Sequence, residues 1–240
     1  MTSQAITALA DRLSPHVLLG KTRLETLCLL IIGVISARTV NLSHVACERS
    51  GEVLIASTYR RLQRFFQHVA LGEDWSAGLV IRLLGLSGPW DLCLDRTNWK
   101  IGGRDVNILM LAVATRRFRV PLMWTVLDKA GNSNTGERIA LMQRYLALFG
   151  AGSVRFLLAD REFIGLKWLN FLDENGIPFA IRVKAGLKVE TQAGRTLSLR
   201  SLLRKYRGVR KFRATFPGQG DASDGGAALT PTFSARRIRD

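Results

Sequence analysis

The chain has 240 residues, 47% of them hydrophobic, and a formal charge of +16 at neutral pH. That is enough chain for one large domain or two small ones, and enough apolar material for a sizeable core, which excludes wholesale disorder. The charge calls for a polyanionic partner, either nucleic acid or an anionic membrane surface.

The membrane is the weaker of the two partners. The longest apolar stretch, LETLCLLIIGVIS (24–36), is too short to span a bilayer and contains Glu25. It starts too late for a signal peptide and lacks a cleavage site, so it reads as a buried core helix. Three scattered cysteines, Cys28, Cys47 and Cys93, make no disulfide framework and fit a reducing cytoplasm. His44 and Cys47 have a ligand-like spacing, but no second pair completes a zinc site. Both read as ordinary helix residues.

Residues 1–86 show helical periodicity, punctuated by Pro15, Gly20, Gly51 and Gly72. The segment 41–69, NLSHVACERSGEVLIASTYRRLQRFFQHV, predicts a helix, a Gly-containing turn and a second helix from about Ser57, with Ser57 and Thr58 as N-cap types. Leu62, Phe65, Phe66 and Val69 fall on one face of that helix. Tyr59, Arg60, Gln63, Arg64 and Gln67 fall largely on the other. This is a helix-turn-helix outline whose Arg/Gln face is free to meet phosphates and base edges. A solvated basic face is the plain alternative.

GLSGP (85–89) reads as a linker, and the pattern then changes to strands. WDLCLD (90–95), VNILMLAVAT (106–115) and RVPLMWTVLD (119–128) are apolar and β-rich. TGERIALMQRYLALFG (135–150) predicts an amphipathic helix closed by Gly150. VRFLLAD (154–160) is a strand, GLKWLNFLDENG (165–176) a helix with an Asn-Gly stop, and IPFAIRVK (177–184) a further strand. Three strands with short connections favour an antiparallel meander, and the later alternation favours parallel pairing. The expectation is a mixed α/β sheet flanked by helices over 87–185, with no Gly-rich phosphate loop. Residues 186–213 read as a strand-rich insert followed by a short basic helix carrying Arg204, Lys205, Arg207, Arg210, Lys211 and Arg213. That cluster is either a phosphate track or a solvated surface. Residues 214–240 are Gly/Pro/Ala-rich and read as a disordered tail. The abrupt change of composition also fits an interrupted reading frame.

Two apolar strands end in aspartate, Asp95 and Asp160. If the strands are adjacent, both carboxylates emerge at one sheet edge, where open α/β sheets keep their sites. Carboxylates are hard ligands suited to magnesium or manganese, the ions used to cut and join phosphodiesters. Capping a following turn is the structural alternative.

LDRTNWKIGGRDVNILMLAV, PLMWTVLDKAGNSNTGERI and LLADREFIGLKWLNFLDENGIPFAIRVK resemble the catalytic region of bacterial insertion-sequence transposases of the DDE class, over roughly residues 90–185. The resemblance implies a ribonuclease-H-like core and a helical DNA-binding region before it. It also implies Mg2+ (or Mn2+) held by two aspartates and a glutamate, and cleavage and transfer of DNA strands at element ends. By position, the aspartates are Asp95 in LDRTNW and Asp160 in LADREF. The glutamate belongs in a Tyr…Arg…Glu…Lys pattern that this sequence does not show. Glu162 is too close to Asp160, Glu174 falls at the end of a flanking helix, and Glu190 lies in the insert. The core is therefore expected to stop before the third carboxylate. A transposase binding terminal inverted repeats is the leading reading, and a catalytically dead, DNA-binding inhibitor is the alternative. RNA binding or cleavage ranks third.

The partner is then double-stranded DNA, as element ends and target, with a homodimer on DNA implied by the resemblance. No membrane and no small-molecule substrate are expected, and the location is cytoplasmic, on the nucleoid. Arg161 either contacts the scissile phosphate or pairs with Glu162 or another acid, and pairing is favoured. Trp99 either stacks on an extruded base or is a core or rim aromatic, the commoner case. Thr97 and Asn98 orient a water or cap a turn. Asp91, on the same strand face as Asp95, is the fallback acid, and Asp128 begins a turn.

Overall fold

A computed structural model describes residues 3–49, 51, 53–191, 193–204, 209–213 and 232–236. The chain divides into two compact units, Met1–Leu84 and Gly85–Asp240.

The first unit is helical: α1 (Ser3–Leu13), α2 (Lys21–Ala37), α3 (Leu42–Cys47), α4 (Ile55–His68) and α5 (Trp75–Leu83). The apolar stretch at 24–36 forms most of α2; its first part is buried, while Ile31, Ile32 and Val34 are half-buried and Ile35 is exposed. It contributes Leu24, Leu27 and Cys28 to one apolar cluster, with Leu13, Phe65 and Leu79. Leu29 joins Val45, Ala46 and Leu62 in another. Burial, and secondarily the nearby Glu25 charge, pushes the Cys28 thiol above its ordinary pKa. Asn41 caps α3, its Oδ1 accepting from the Ser43 N–H at 3.1 Å. Arg61 ties α4 to α2, donating to Thr26 Oγ1 at 2.7 Å and the Thr22 carbonyl at 2.9 Å, with Glu25 at 3.5 Å.

Two sequence expectations for α4 need correction. The helix starts at Ile55, not near Ser57: Ser57 and Thr58 already donate their N–H groups to the Leu54 carbonyl, and Thr58 is buried. Phe66 does not join Leu62 and Phe65 inside but is 61% exposed. It stands one position, about 100°, round the helix from Phe65.

The second unit is built on a five-stranded sheet of order β3-β2-β1-β4-β5. Its strands are β1 (Trp90–Ile101), β2 (Arg104–Ala114), β3 (Arg119–Leu127), β4 (Val154–Ala159) and β5 (Phe179–Ile181). The first three form the expected antiparallel meander, while β4 pairs parallel to both β1 and β5. Helix α6 (Thr135–Phe149) lies between β3 and β4 in sequence, and α7 (Leu166–Glu174) between β4 and β5. This mixed sheet with flanking helices is ribonuclease-H-like. Strand β1 runs six residues past Asp95 into a hairpin with β2, turning at Gly102, whose φ of +60° favours glycine.

Alternation gives the sheet two unlike faces. Leu92, Leu94, Leu109, Leu111, Met123 and Leu157 are buried on one, where Arg144 of α6 donates to Thr125 Oγ1 at 2.9 Å. The register puts Asp95, Trp99, Trp124, Val126 and Phe156 on the other, and all five are exposed.

Beyond the core, β6 (Lys188–Glu190) and β7 (Thr196–Ser198) form a hairpin before the short α8 (Leu199–Leu203). The basic segment is not one helix over 200–213, because Val209–Arg213 is a strand, β8. It pairs antiparallel with β9 (Thr232–Arg236), so those five tail residues are ordered into a ladder. Lys205, Arg207 and the rest of 214–240 lie outside the described residues.

Gly33 of α2 faces α3 closely. A Cβ there would lie 2.6 Å from Val45 Cγ1 and 3.4 Å from the Val45 carbonyl oxygen. Gly→Ala inside a helix ordinarily stabilises by about 1 kcal/mol. Gly33→Ala is instead expected to destabilise by about 1–3 kcal/mol through overpacking, and Val45→Ala in the same chain should recover part of the loss. Urea unfolding followed by circular dichroism reads both values.

Candidate active site

The site is built by strand register. Leu94 of β1 is the partner of Ala159 on β4, and Ala159 is the partner of Ile181 on β5. One residue further on each strand stand Asp95, Asp160 and Arg182, a row across three neighbouring strands. The Arg182 N–H donates to the Ala159 carbonyl at 3.0 Å, which holds the row together at its outer end. The register therefore brings Asp95 and Asp160 to one edge of the sheet.

Neither carboxylate is consumed by a structural duty. Asp160 stands at the N-terminus of the 3-10 turn Arg161–Phe163, but its side chain makes no capping bond. It is 49% exposed, and its nearest cation is Arg182 Nη1 at 3.6 Å, on a side chain 83% exposed. Among the described residues Asp95 accepts a single local bond, from the Arg96 N–H at 2.8 Å. Asp91 is different. It lies toward the other end of β1 and forms a fork with Arg155, Nε to Oδ1 at 2.7 Å and Nη2 to Oδ2 at 2.5 Å. The bond from Arg155, and then its charge, hold the Asp91 carboxyl below the usual range against some desolvation. Asp91, the fallback acid, is thus engaged with Arg155.

Beneath the aspartates lies a polar network. Arg96 donates to both carboxylate oxygens of Glu162 at 3.2 and 3.1 Å, to Asn107 Oδ1 at 3.2 Å and to Asn132 Oδ1 at 3.2 Å. Asn107, fully buried, donates to the carbonyls of Lys129 and Gly131 at 3.0 and 2.7 Å. Arg138 of α6, also buried, donates to Ser133 Oγ at 2.9 Å and the Glu162 carbonyl at 3.1 Å, and stacks over Phe163 at 5.2 Å. Burial lowers the Arg138 pKa, and the Glu162 and Glu137 charges oppose that shift.

Several sequence expectations change here. Glu162 pairs with Arg96 and not with Arg161, which is exposed beside Asp160. Trp99 is no core aromatic: it is 59% exposed, on the same face as Asp95 and roughly 13 Å along β1 from it. Thr97 and Asn98 lie inside β1 and cap nothing. On α4, Arg60 and Arg64 are exposed and Gln63 is half-buried. Tyr59 packs against the Leu29, Val45 and Leu62 cluster, so it belongs to the core edge. Arg204 is exposed at the end of α8, and Arg210 and Lys211 lie on β8. Arg182 was hidden in the sequence as one more basic residue in IRVK; only β5 pairing reveals its place.

Two exposed carboxylates offer hard oxygen donors that fit Mg2+ or Mn2+. Glu174 is exposed at the end of α7 and Glu190 sits on β6. Among the described residues no group of three or more His, Cys, Asp or Glu side chains is placed to hold a metal ion. No described helix is long and apolar enough to cross a membrane.

A ribonuclease-H-like sheet carrying paired carboxylates at the end of its central parallel pair is the class that fold and site define. The family described as "Transposase DDE domain" matches residues 86–222, and the chain belongs to it. Among solved structures, similarity is found to a chain of the cryo-EM structure of a simian T-cell lymphotropic virus intasome in complex with the PP2A regulatory subunit B56 gamma. That match has 11% identity and a TM-score of 0.33, and covers 52% of this chain and 43% of that one. No curated protein matches.

The loop leading into α6 is clamped beside this site. Asn134 and Glu137 form a capping box, and Lys129 Nζ lies 2.8 Å from Glu137 Oε1. Desolvation works against the Glu137 charge. The bonds from Lys129 and the Asn134 N–H, with the Lys129 and Arg138 charges, outweigh it and lower its pKa. A carboxyl lowered on folding contributes stability above its unfolded value, about 4.3, that is lost as pH falls through the folded value. The difference in Tm between the wild-type chain and Glu137→Gln is expected to stay level from about pH 7 to 5 and to shrink below about pH 4. Calorimetric melts across that range measure it.

Proposed function

We propose that this chain is an insertion-sequence transposase that binds terminal inverted repeats and carries out metal-dependent DNA cleavage and strand transfer. The observation that supports it best is the placing of Asp95 and Asp160 at adjacent strand positions, both exposed, Asp160 paired with the largely exposed Arg182 and Asp95 accepting from its neighbour's N–H. Asp95 and Asp160 would hold Mg2+ (or Mn2+). Bound there, the ion would neutralise phosphate charge and activate the attacking oxygen. Arg182 and Arg161, exposed beside Asp160, suit a DNA phosphate at the same edge. Trp99 offers an exposed face on which a displaced base could stack. Arg60, Arg64 and Gln63 of α4 supply a basic face for the element end, and Arg204, Arg210 and Lys211 a further phosphate track. In this reading the chain works as a dimer on DNA, in the cytoplasm on the nucleoid.

The second reading is a DNA-binding inhibitor without catalysis. It is favoured by the carboxylate count, since the donor set among the described residues stops at two. One experiment separates the readings. The purified chain is incubated with DNA that carries the sequences flanking its own coding region, in magnesium. The transposase reading expects release of a 3′ hydroxyl at a defined end, reduced about 100-fold or more in Asp95→Asn and in Asp160→Asn. Binding without nicking would establish the inhibitor, and failure to bind would contradict both.

A further inference from the structure

We propose that Arg96 and Glu162 are positioning residues: their ion pair fixes the spacing of Asp95 and Asp160 and touches neither DNA nor cation. The inference rests on the reading of Asp95 and Asp160 as ion ligands.

The backbone alone leaves this spacing loosely determined. Leu94–Ala159 is the last residue pair of the β1–β4 ladder, so Asp95 and Asp160 stand just beyond its end. Past that point β1 stays paired with β2, while the other segment turns away through Arg161–Phe163. Two carboxylates at adjacent positions also repel each other, which favours splaying.

The Arg96–Glu162 fork closes the gap. It joins the residue after Asp95 to the second residue after Asp160 through two bonds of 3.2 and 3.1 Å. A planar guanidinium on a carboxylate fixes orientation as well as distance. The pair is largely shielded, with side-chain exposures of 15% and 23%, so solvent screens it less than a surface pair. The fork is itself anchored. Asn107 on β2 and Asn132 in the loop before α6 both accept from Arg96, and Arg138 holds the Glu162 carbonyl from the other side.

Strand alternation separates this brace from the site. Arg96 points to the face opposite Asp95, the one on which α6 packs. The brace therefore acts through the aspartates and has no line of approach to DNA lying on the exposed face. Glu162 is also occupied as a structural anion, which removes it from the pool of third ligands.

Mn2+ binding, followed by the electron paramagnetic resonance signal of the free ion, tests this in the full chain. Asp95→Asn and Asp160→Asn set the baseline, and thermal melts run beside every titration. Glu162→Gln keeps the shape and loses the charge, and Arg96→Lys keeps the charge and loses the fork. Both are expected to weaken Mn2+ binding about 10- to 100-fold while the fold is retained. Asn132→Ala removes one exposed bond of the brace and should cost a few-fold, which keeps the test decisive if the other two variants unfold. Folded variants that bind Mn2+ within twofold of the wild-type chain would overturn the inference. A wild-type chain that binds no better than the two Asn baselines would overturn the ion-ligand reading, and this inference with it.

Discussion

The parallel pairing of β1 with β4 is the constraint on which the rest depends. It brings together two residues sixty-five positions apart in the chain, because Leu94 and Ala159 share a rung and each is followed by aspartate. Side chains alternate along a strand, so a one-residue slip would send Asp160 to the buried face, where an unpaired carboxylate is strongly disfavoured. The apolar pattern of β4, with Val154, Leu157 and Ala159 buried, enforces the register that keeps Asp160 outside.

Charge is distributed around that edge with a clear division. On the exposed face two carboxylates stand with one largely exposed arginine, Arg182, and a second basic group, Arg161, beside them. On the covered face the groups beneath the aspartates are partnered: Arg96 by Glu162 and two asparagines, Asn107 by two carbonyls, Arg138 by Ser133 and a carbonyl. Buried polar networks of this kind are stable only when their members are satisfied, and then they rigidify what they join. The open edge leaves two carboxylates and two arginines exposed, which suits the proposed cation and phosphate. The closed side supplies its rigidity.

Much of this was legible in the sequence, and the reasons for the rest are physical. Apolar runs ended by aspartate marked β4 and the exposed position within β1, and Gly150 and the Asn175–Gly176 pair marked helix ends correctly. Strand β1 was read as ending at Asp95 because its next residues are polar. They remain in the strand because β2 still pairs with them where β4 no longer does. Arg96–Glu162 and Asp160–Arg182 were invisible because partners drawn from separate strands leave no local spacing. Phe66 and Tyr59 were misplaced because both sit at the boundary of the helical stripe, where the neighbouring helices decide burial. The β8–β9 ladder escaped because a Gly-rich composition between its strands says nothing about what pairs across it.

The most direct measurement is the anomalous scattering of a crystal soaked in Mn2+. The account expects one peak at the β1–β4 edge within roughly 2.1 Å of a carboxylate oxygen from both Asp95 and Asp160. Peaks on one aspartate alone, or a pair of side chains directed to opposite sides of the sheet, would contradict it.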